Sequence, residues 1–205
     1  MRSCCMLLMD TTPIIFLAKI DKLDLLLNFD LPIFMPREVY FELTEKRVFE
    51  QGGAQSAEEL SIKLFIDGQC DRNRMRVVTT IVCEATALQR ERDPSYRSKG
   101  DGEVAANSLF LNRDKHGIRG PALLLYEDSD MELLFRREDV HFLTTYAMLV
   151  SMEKLDCLES ADKEWSRLSE IYEQKNREPL EKRNIDISAR GDTEYISRIK
   201  PPGKR

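Results

Sequence analysis

Cys4-Cys5-Met6-Leu7-Leu8-Met9-Asp10-Thr11-Thr12-Pro13 is the stretch on which the reading of this chain turns. A short, almost wholly apolar run stops at an aspartate, and two threonines and a proline follow. The run is brief and has no helical spacing, so it predicts a buried strand. A strand that is apolar on both faces belongs to a parallel sheet covered by helices. Thr-Thr-Pro predicts a helix start, with threonine as N-cap and proline at the first helical position. Asp10 is thereby placed at the carboxyl end of a central parallel strand, where open α/β sheets bind their ligands. Read alone, it serves equally well as a cap or as a site residue.

The rest of the chain supports such a sheet. Its 205 residues suffice for one sizeable domain with an appendage, and 42% hydrophobic content supports a core. The apolar runs are too short to span a bilayer. Arg2 followed by an apolar run faintly resembles a signal peptide, but Asp10 truncates the run and no small-residue cleavage site follows. The five cysteines are scattered, no pair has zinc-finger spacing, and there are two histidines. They read as reduced thiols of a cytoplasmic protein. A net charge of −5 argues against non-specific coating of nucleic acid, though not against local basic patches.

Pro13 to Ile20 predicts a first helix, and Asp21 to Phe29 a second helical piece. Leu31 to Pro36 predicts a strand, and Arg37 to Lys46 a helix on which Val39 and Leu43 share an apolar face. Glu42 falls beside that face, and Glu38 and Glu45 are displaced from it. Ala54 to Ile66 reads as a helix ending at Asp67-Gly68, Met75 to Val82 as a strand, and Glu84 to Glu91 as a helix. Arg92 to Gly100 is a loop by composition. In Gly100-Asp101-Gly102-Glu103-Val104-Ala105-Ala106, acidic residues open a helix lined by small side chains. The macrodipole alone favours acids there. Two carboxylates backed by small residues go beyond what a cap requires. Ala122 to Tyr126 is the clearest buried strand, and it runs into Glu127-Asp128-Ser129-Asp130, repeating the opening pattern. Val140 to Thr145 is the last strand, and Tyr146 to Leu155 the helix behind it. The alternation predicts a three-layer α/β/α sandwich with a mostly parallel central sheet.

Beyond Ser160 the composition changes. Residues 161–183 read as a charged helix with a thin stripe of Trp165, Leu168, Ile171 and Tyr172, suited to docking on the body or on a partner. From Asn184 onward the chain reads as a flexible, mildly basic tail. The expected division is a domain over 1–158 and a helical extension with tail over 159–205.

Asp10, the Asp101/Glu103 pair and Asp128/Asp130 all fall where an α/β sheet gathers its site, and Glu42 can join them. Crowded carboxylates repel each other unless a cation neutralises them. Oxygen donors with few histidines point to Mg²⁺ or Mn²⁺. Such a site can make a nucleophile of water and steady the leaving oxygen of a phosphodiester. No serine or cysteine nucleophile with its base is visible, and no Gly-x-x-x-x-Gly-Lys phosphate loop.

On these residues the chain resembles a PIN-domain ribonuclease. The matching pieces are Leu7 to Leu17, Met35 to Leu43, Gly100 to Ala106 and Leu124 to Asp130, and the resemblance spans roughly residues 5–155. It implies a Rossmann-like sheet and Mg²⁺- or Mn²⁺-dependent endoribonuclease activity, with an RNA substrate and frequent homodimers. Bacterial members are often toxins held by an antitoxin, and residues 160–205 offer a place for such a protein partner. The family's acids carry over to Asp10, Glu42, Asp101 or Glu103, and Asp128 or Asp130. Its hydroxyl positions carry over to Thr11 or Thr12, and to Thr144 or Thr145. Arg37, Lys46, Arg47, Arg97 and Lys99 would face RNA at the rim. Tyr126-Glu127 departs from the family, which commonly places more apolar residues there. A non-catalytic PIN-like module that binds RNA or protein is the alternative reading. A receiver-like domain would need an acidic pair after the first strand and a lysine after a later one, and neither is present.

Overall fold

The computed structural model describes residues 5–93, 95–96, 100–135, 139–174, 180–183, 186–188 (backbone only) and 198–200. Its frame is a six-stranded sheet in the order β3-β2-β1-β4-β5-β6. The strands are β1 (Met6–Met9), β2 (Ile33–Pro36), β3 (Met75–Val78), β4 (Ala122–Tyr126), β5 (Val140–Thr144) and β6 (Asp186–Ser188). The first five are mutually parallel, and β6 pairs antiparallel with β5. Parallel neighbours need crossovers, and helices supply them. From β1 the chain builds outward through β2 and β3, then returns to lay β4 and β5 on the other side. The topological switch point therefore lies between β1 and β4, at their carboxyl ends. The two strands pair from Met6 opposite Ala122 to Met9 opposite Leu125, and the Asp10 N–H extends the ladder to the Leu125 carbonyl at 3.0 Å.

Strand alternation divides the core into two layers. Leu7, Met9, Ile33, Met35, Leu123, Leu125 and Leu143 face one side, and Met6, Leu8, Phe34, Leu124, Tyr126 and Phe142 the other. The first side is covered by α1 (Thr11–Lys19), α2 (Arg37–Thr44) and α4 (Ala57–Asp71), together with α8 (Thr145–Lys154) and α9 (Ala161–Glu173). The second is covered by α6 (Asp101–Leu111) and α7 (Ser129–Leu134), with α5 (Ile81–Arg92) packed against α6. A short α3 (Lys46–Gln51) follows α2. Burying each strand leucine contributes about 1.5–3 kcal/mol, so the β1 and β4 runs anchor the sheet. Among the described residues no helix is long and apolar enough to cross a membrane.

Several boundaries differ from the sequence reading, for local reasons. The first helix starts earlier than expected: Asp10 holds the N-cap position, Thr11 and Thr12 are already helical, and Pro13 is third. The piece after it is a 3₁₀ turn over Leu23–Asn28. The helix expected over 37–46 breaks at Glu45, whose backbone turns to φ −127° and ψ −25°. The expected strand over 75–82 stops at Val78, because Thr80 caps α5 by accepting from the Cys83 N–H at 3.3 Å. The helix read as ending at Asp67-Gly68 continues to Asp71, started by a Ser56–Glu59 capping box.

Two larger corrections concern α2 and the C-terminal region. Glu38, read as displaced from the apolar face, is 1% exposed. It pairs with Arg90 of α5 and accepts from the Thr86 hydroxyl at 2.8 Å. The tail from 184 onward, read as flexible, returns to the body at two points. Asp186–Ser188 covers the open edge of β5, and Ile199 is buried and bridges Phe29. The Trp165 and Leu168 stripe is spent inside the molecule, with Trp165 packed edge-on against Phe16 and Tyr146.

Candidate active site

Asp10 ends β1 and stands at the mouth of the β1–β4 crevice. It is 3% exposed. Although it holds the N-cap position of α1, its side chain makes no cap hydrogen bond across the first turn. The Thr11 hydroxyl donates to its Oδ1 at 3.4 Å. Burial pushes its pKa up to about 6; bonds from Thr11 oppose the rise, and the charges of Glu103 and Asp128 add to it.

Glu42 approaches from α2. Burial raises its pKa to about 7, with Lys46 opposing and Glu103, Asp10 and Asp101 adding to the rise. The Lys46 ammonium lies 3.9 Å from its Oε1, a long contact that leaves the carboxylate only partly compensated. Asp101 and Glu103 occupy the first turn of α6, and the Tyr96 hydroxyl donates to Asp101 Oδ2 at 2.8 Å. Between them sits Gly102. A Cβ there would come within 2.8 Å of Glu42 Oε2, so the glycine is what lets the carboxylate lie against the start of α6.

Beyond β4 the picture changes. Asp128 is exposed and caps α7, accepting from the Asp130 N–H at 2.9 Å. Asp130 is exposed in the first turn of that helix. The residue just before them, Glu127, was not singled out from the sequence. Its carboxylate lies at the β4 end and accepts from the Thr145 N–H at 2.7 Å. Burial raises its pKa, opposed by the bonds from Thr145 and the charge of Arg183. The one sequence signal for Glu127 is a charged residue directly continuing the most apolar strand of the chain. Thr145 is fully buried beside the Glu127 carboxylate. Thr144 caps α8 and donates its hydroxyl to the Arg183 carbonyl.

The structure thus draws Asp10, Glu42, Asp101, Glu103 and Asp128 into one electrostatic field. Thr11 is beside Asp10, Thr12 is partly buried in the same first turn, and Thr145 is beside Glu127. Asp130 serves the α7 terminus instead. Of the rim cations, Lys46 faces Glu42, whereas Arg37 is held by Glu45 at 2.8 and 3.1 Å and stacks on Tyr40. Arg47 reaches Glu59 at 3.8 Å. Arg97 and Lys99 lie outside the described residues.

The donor set is all oxygen, and the charges of neighbouring acids add to the raised pKa values of Asp10 and Glu42, which is the chemistry of a hard-cation site. Among the described residues, however, no three His, Cys, Asp or Glu side chains converge closely enough to hold a metal ion. Asp128 is turned to its cap, and Glu42 lies against Gly102.

Residues 6–78 match a family model described as a PIN domain. Searches of curated proteins and of solved structures find no match. The matched span runs from β1 through β3 and includes Asp10 and Glu42. The parallel order of β4 and β5 continues the same α/β sheet beyond it.

Proposed function

We propose, from a chain whose residues 6–78 match a PIN-domain model, that its crevice hydrolyses RNA phosphodiester bonds with a divalent cation, Mg²⁺ or Mn²⁺. One observation carries the reading. Asp10, directly after β1, and Glu42, on α2 against Gly102 of α6, are pushed up to about 6 and about 7 by burial and by the charges of neighbouring acids. Acids held at raised pKa values beside the place where α/β sheets bind ligands mark a candidate site.

Asp10, Asp101 and Asp128 would hold the cation, with Glu42 or Glu103 completing the set. A bound cation would lower the pKa of a water and offset negative charge on the phosphate. Closing the set requires Asp128 to leave its cap, an exchange of one exposed hydrogen bond for a charge contact. In hydrolysis, a water oxygen bonds to phosphorus as the bond to the leaving ribose oxygen breaks. Glu42, with a pKa close to neutrality, is suited to take the proton of that water at a carboxylate oxygen. The Thr11 hydroxyl holds Asp10 Oδ1 in place.

The test is cleavage of a labelled single-stranded RNA by purified protein with Mn²⁺. Asp10→Asn and Asp101→Asn should each abolish it while the circular dichroism spectrum is unchanged; undiminished cleavage by both sinks the reading. A second reading, a PIN-like module that binds RNA or protein without cleaving, is favoured by the open arrangement of the carboxylates and the cap duty of Asp128. Calorimetric titration separates the two: Mn²⁺ binding supports the enzyme, and its absence at millimolar concentration supports the module.

A further inference from the structure

The C-terminal segment places a cation beside this crevice that nothing in the sequence flagged. We propose that Arg183 is a phosphate-binding residue of the site, contacting the backbone of single-stranded RNA next to the Glu127–Asp128 end of β4. This rests on the reading of the crevice as an RNA site.

A crevice of carboxylates repels a polyanion, so productive binding needs positive charge at its rim. Arg37 is committed to Glu45 and to the Tyr40 ring. Lys46 offsets Glu42 on the α2 side. On the β4 side, Arg183 donates through Nη1 to the Glu127 carbonyl, one residue before Asp128. Its Nη2 reaches Glu132 Oε1 at 3.3 Å, and its guanidinium carbon lies 5.8 Å from the Tyr126 ring centroid.

The placement is built from several directions. The Thr144 hydroxyl donates to the Arg183 carbonyl at the end of β5. A few residues later, β6 pairs with β5, setting Asp186 opposite Leu143. Just before it, Lys182 pairs with Asp162 at 2.7 Å, and Leu180 packs on the core. The backbone on both sides of Arg183 is therefore tied down, which lowers the entropy cost of presenting the side chain. The guanidinium carries five N–H donors in a planar fork. Among the described residues two of them are engaged, and the side chain remains 22% exposed. Glu132 is itself 34% exposed, and a 3.3 Å bond to it is one that a phosphate can displace.

The experiment uses the full chain in an Asp10→Asn/Asp101→Asn background, so that binding is read without cleavage. A fluorescein-labelled single-stranded oligoribonucleotide of mixed sequence is titrated at increasing KCl and followed by anisotropy. Arg183→Met should weaken binding about tenfold at low salt and flatten the slope of log K against log salt by about 0.7, the value for one lost single-strand phosphate contact. Arg183→Lys should keep that slope. A merely structural tie would leave the slope unchanged. An unchanged slope in Arg183→Met, a slope lost equally in Arg183→Lys, or no RNA binding by the background protein overturns the proposal. Cleavage is measured separately on wild-type protein. A charge-dependent slope without Mn²⁺-dependent cleavage would refute the hydrolase and leave Arg183 assigned.

Discussion

Asp10→Asn should make the cation-free protein more stable in base and leave it nearly unchanged in acid. Asp10 is buried, with its pKa pushed from 3.8 up to about 6. The folded protein therefore holds a proton on this carboxyl at pH values where the unfolded chain has lost it. Stability falls as pH rises wherever the native state binds more protons. For Asp10 the window opens near pH 4 and closes above about 6. Above it, the ionised carboxylate stands in the fold at a cost of roughly 3 kcal/mol, at about 1.4 kcal/mol per tenfold change. Asparagine is isosteric, can still accept from Thr11, and never ionises. Urea denaturation with EDTA present should show the variant about 2–3 kcal/mol more stable than wild type at pH 8. At pH 4, where Asp10 is already protonated in the fold, the gain should shrink to about half a kcal/mol. An equal gain at both pH values would mean that asparagine improves packing rather than removing a strained charge. No gain at pH 8 would mean that the crevice does not penalise Asp10 at all, and the case for a site built to await a cation would fail with it.

Mn²⁺ affinity, measured by calorimetry, should rise between about pH 5.5 and 8, because Asp10 and Glu42 must ionise before they can bind, with pKa values of about 6 and about 7; a flat profile would contradict this. Gly102→Ala places a methyl 2.8 Å from Glu42 Oε2, which must swing away. Alanine is the better helix former by about 1 kcal/mol, so denaturation should show little loss of stability while Mn²⁺-dependent cleavage falls at least about tenfold. Arg90→Met strands the buried Glu38 charge and should cost about 3–5 kcal/mol in urea; Glu38→Leu in the same chain should recover much of it. Trp165→Ala, in a side chain 2% exposed against Phe16 and Tyr146, should cost about 3–5 kcal/mol, where a partner-facing tryptophan would cost little.

The sheet was legible because burial on both faces leaves a simple trace. Met6 to Met9 and Ala122 to Tyr126 are apolar without a break, and both are fully buried strands. Boundaries were less legible because they depend on which local hydrogen bond wins. Thr80 cuts a β-branched run short by capping α5, and nothing in Val77-Val78-Thr79-Thr80-Ile81-Val82 marks the cap as stronger than one more strand residue. The β6 strand was illegible for a different reason. A three-residue antiparallel edge draws its stability from the open backbone of β5, not from its own side-chain pattern, and the surrounding tail composition argues for disorder.

The acids of the crevice divide along the same line. Asp10 was legible because a charge ends an apolar strand, and the same pattern marks Glu127 more sharply than Asp128: Glu127 follows directly on β4, and it is half-buried where Asp128 is exposed. Glu38 and Glu42 lie one helical turn apart on α2, and the spacing that set Glu42 beside the apolar face and Glu38 off it did not foresee that Glu38 is the more buried of the two. What distinguishes them is the partner each meets from another part of the chain. Arg90 of α5 reaches Glu38 and makes it structural. Gly102 of α6 clears space against Glu42 and leaves it facing other acids. The two glutamates are therefore told apart by their partners: the one with an arginine against it ties α2 to α5, and the one offered a glycine and a lysine 3.9 Å away keeps a raised pKa among other acids.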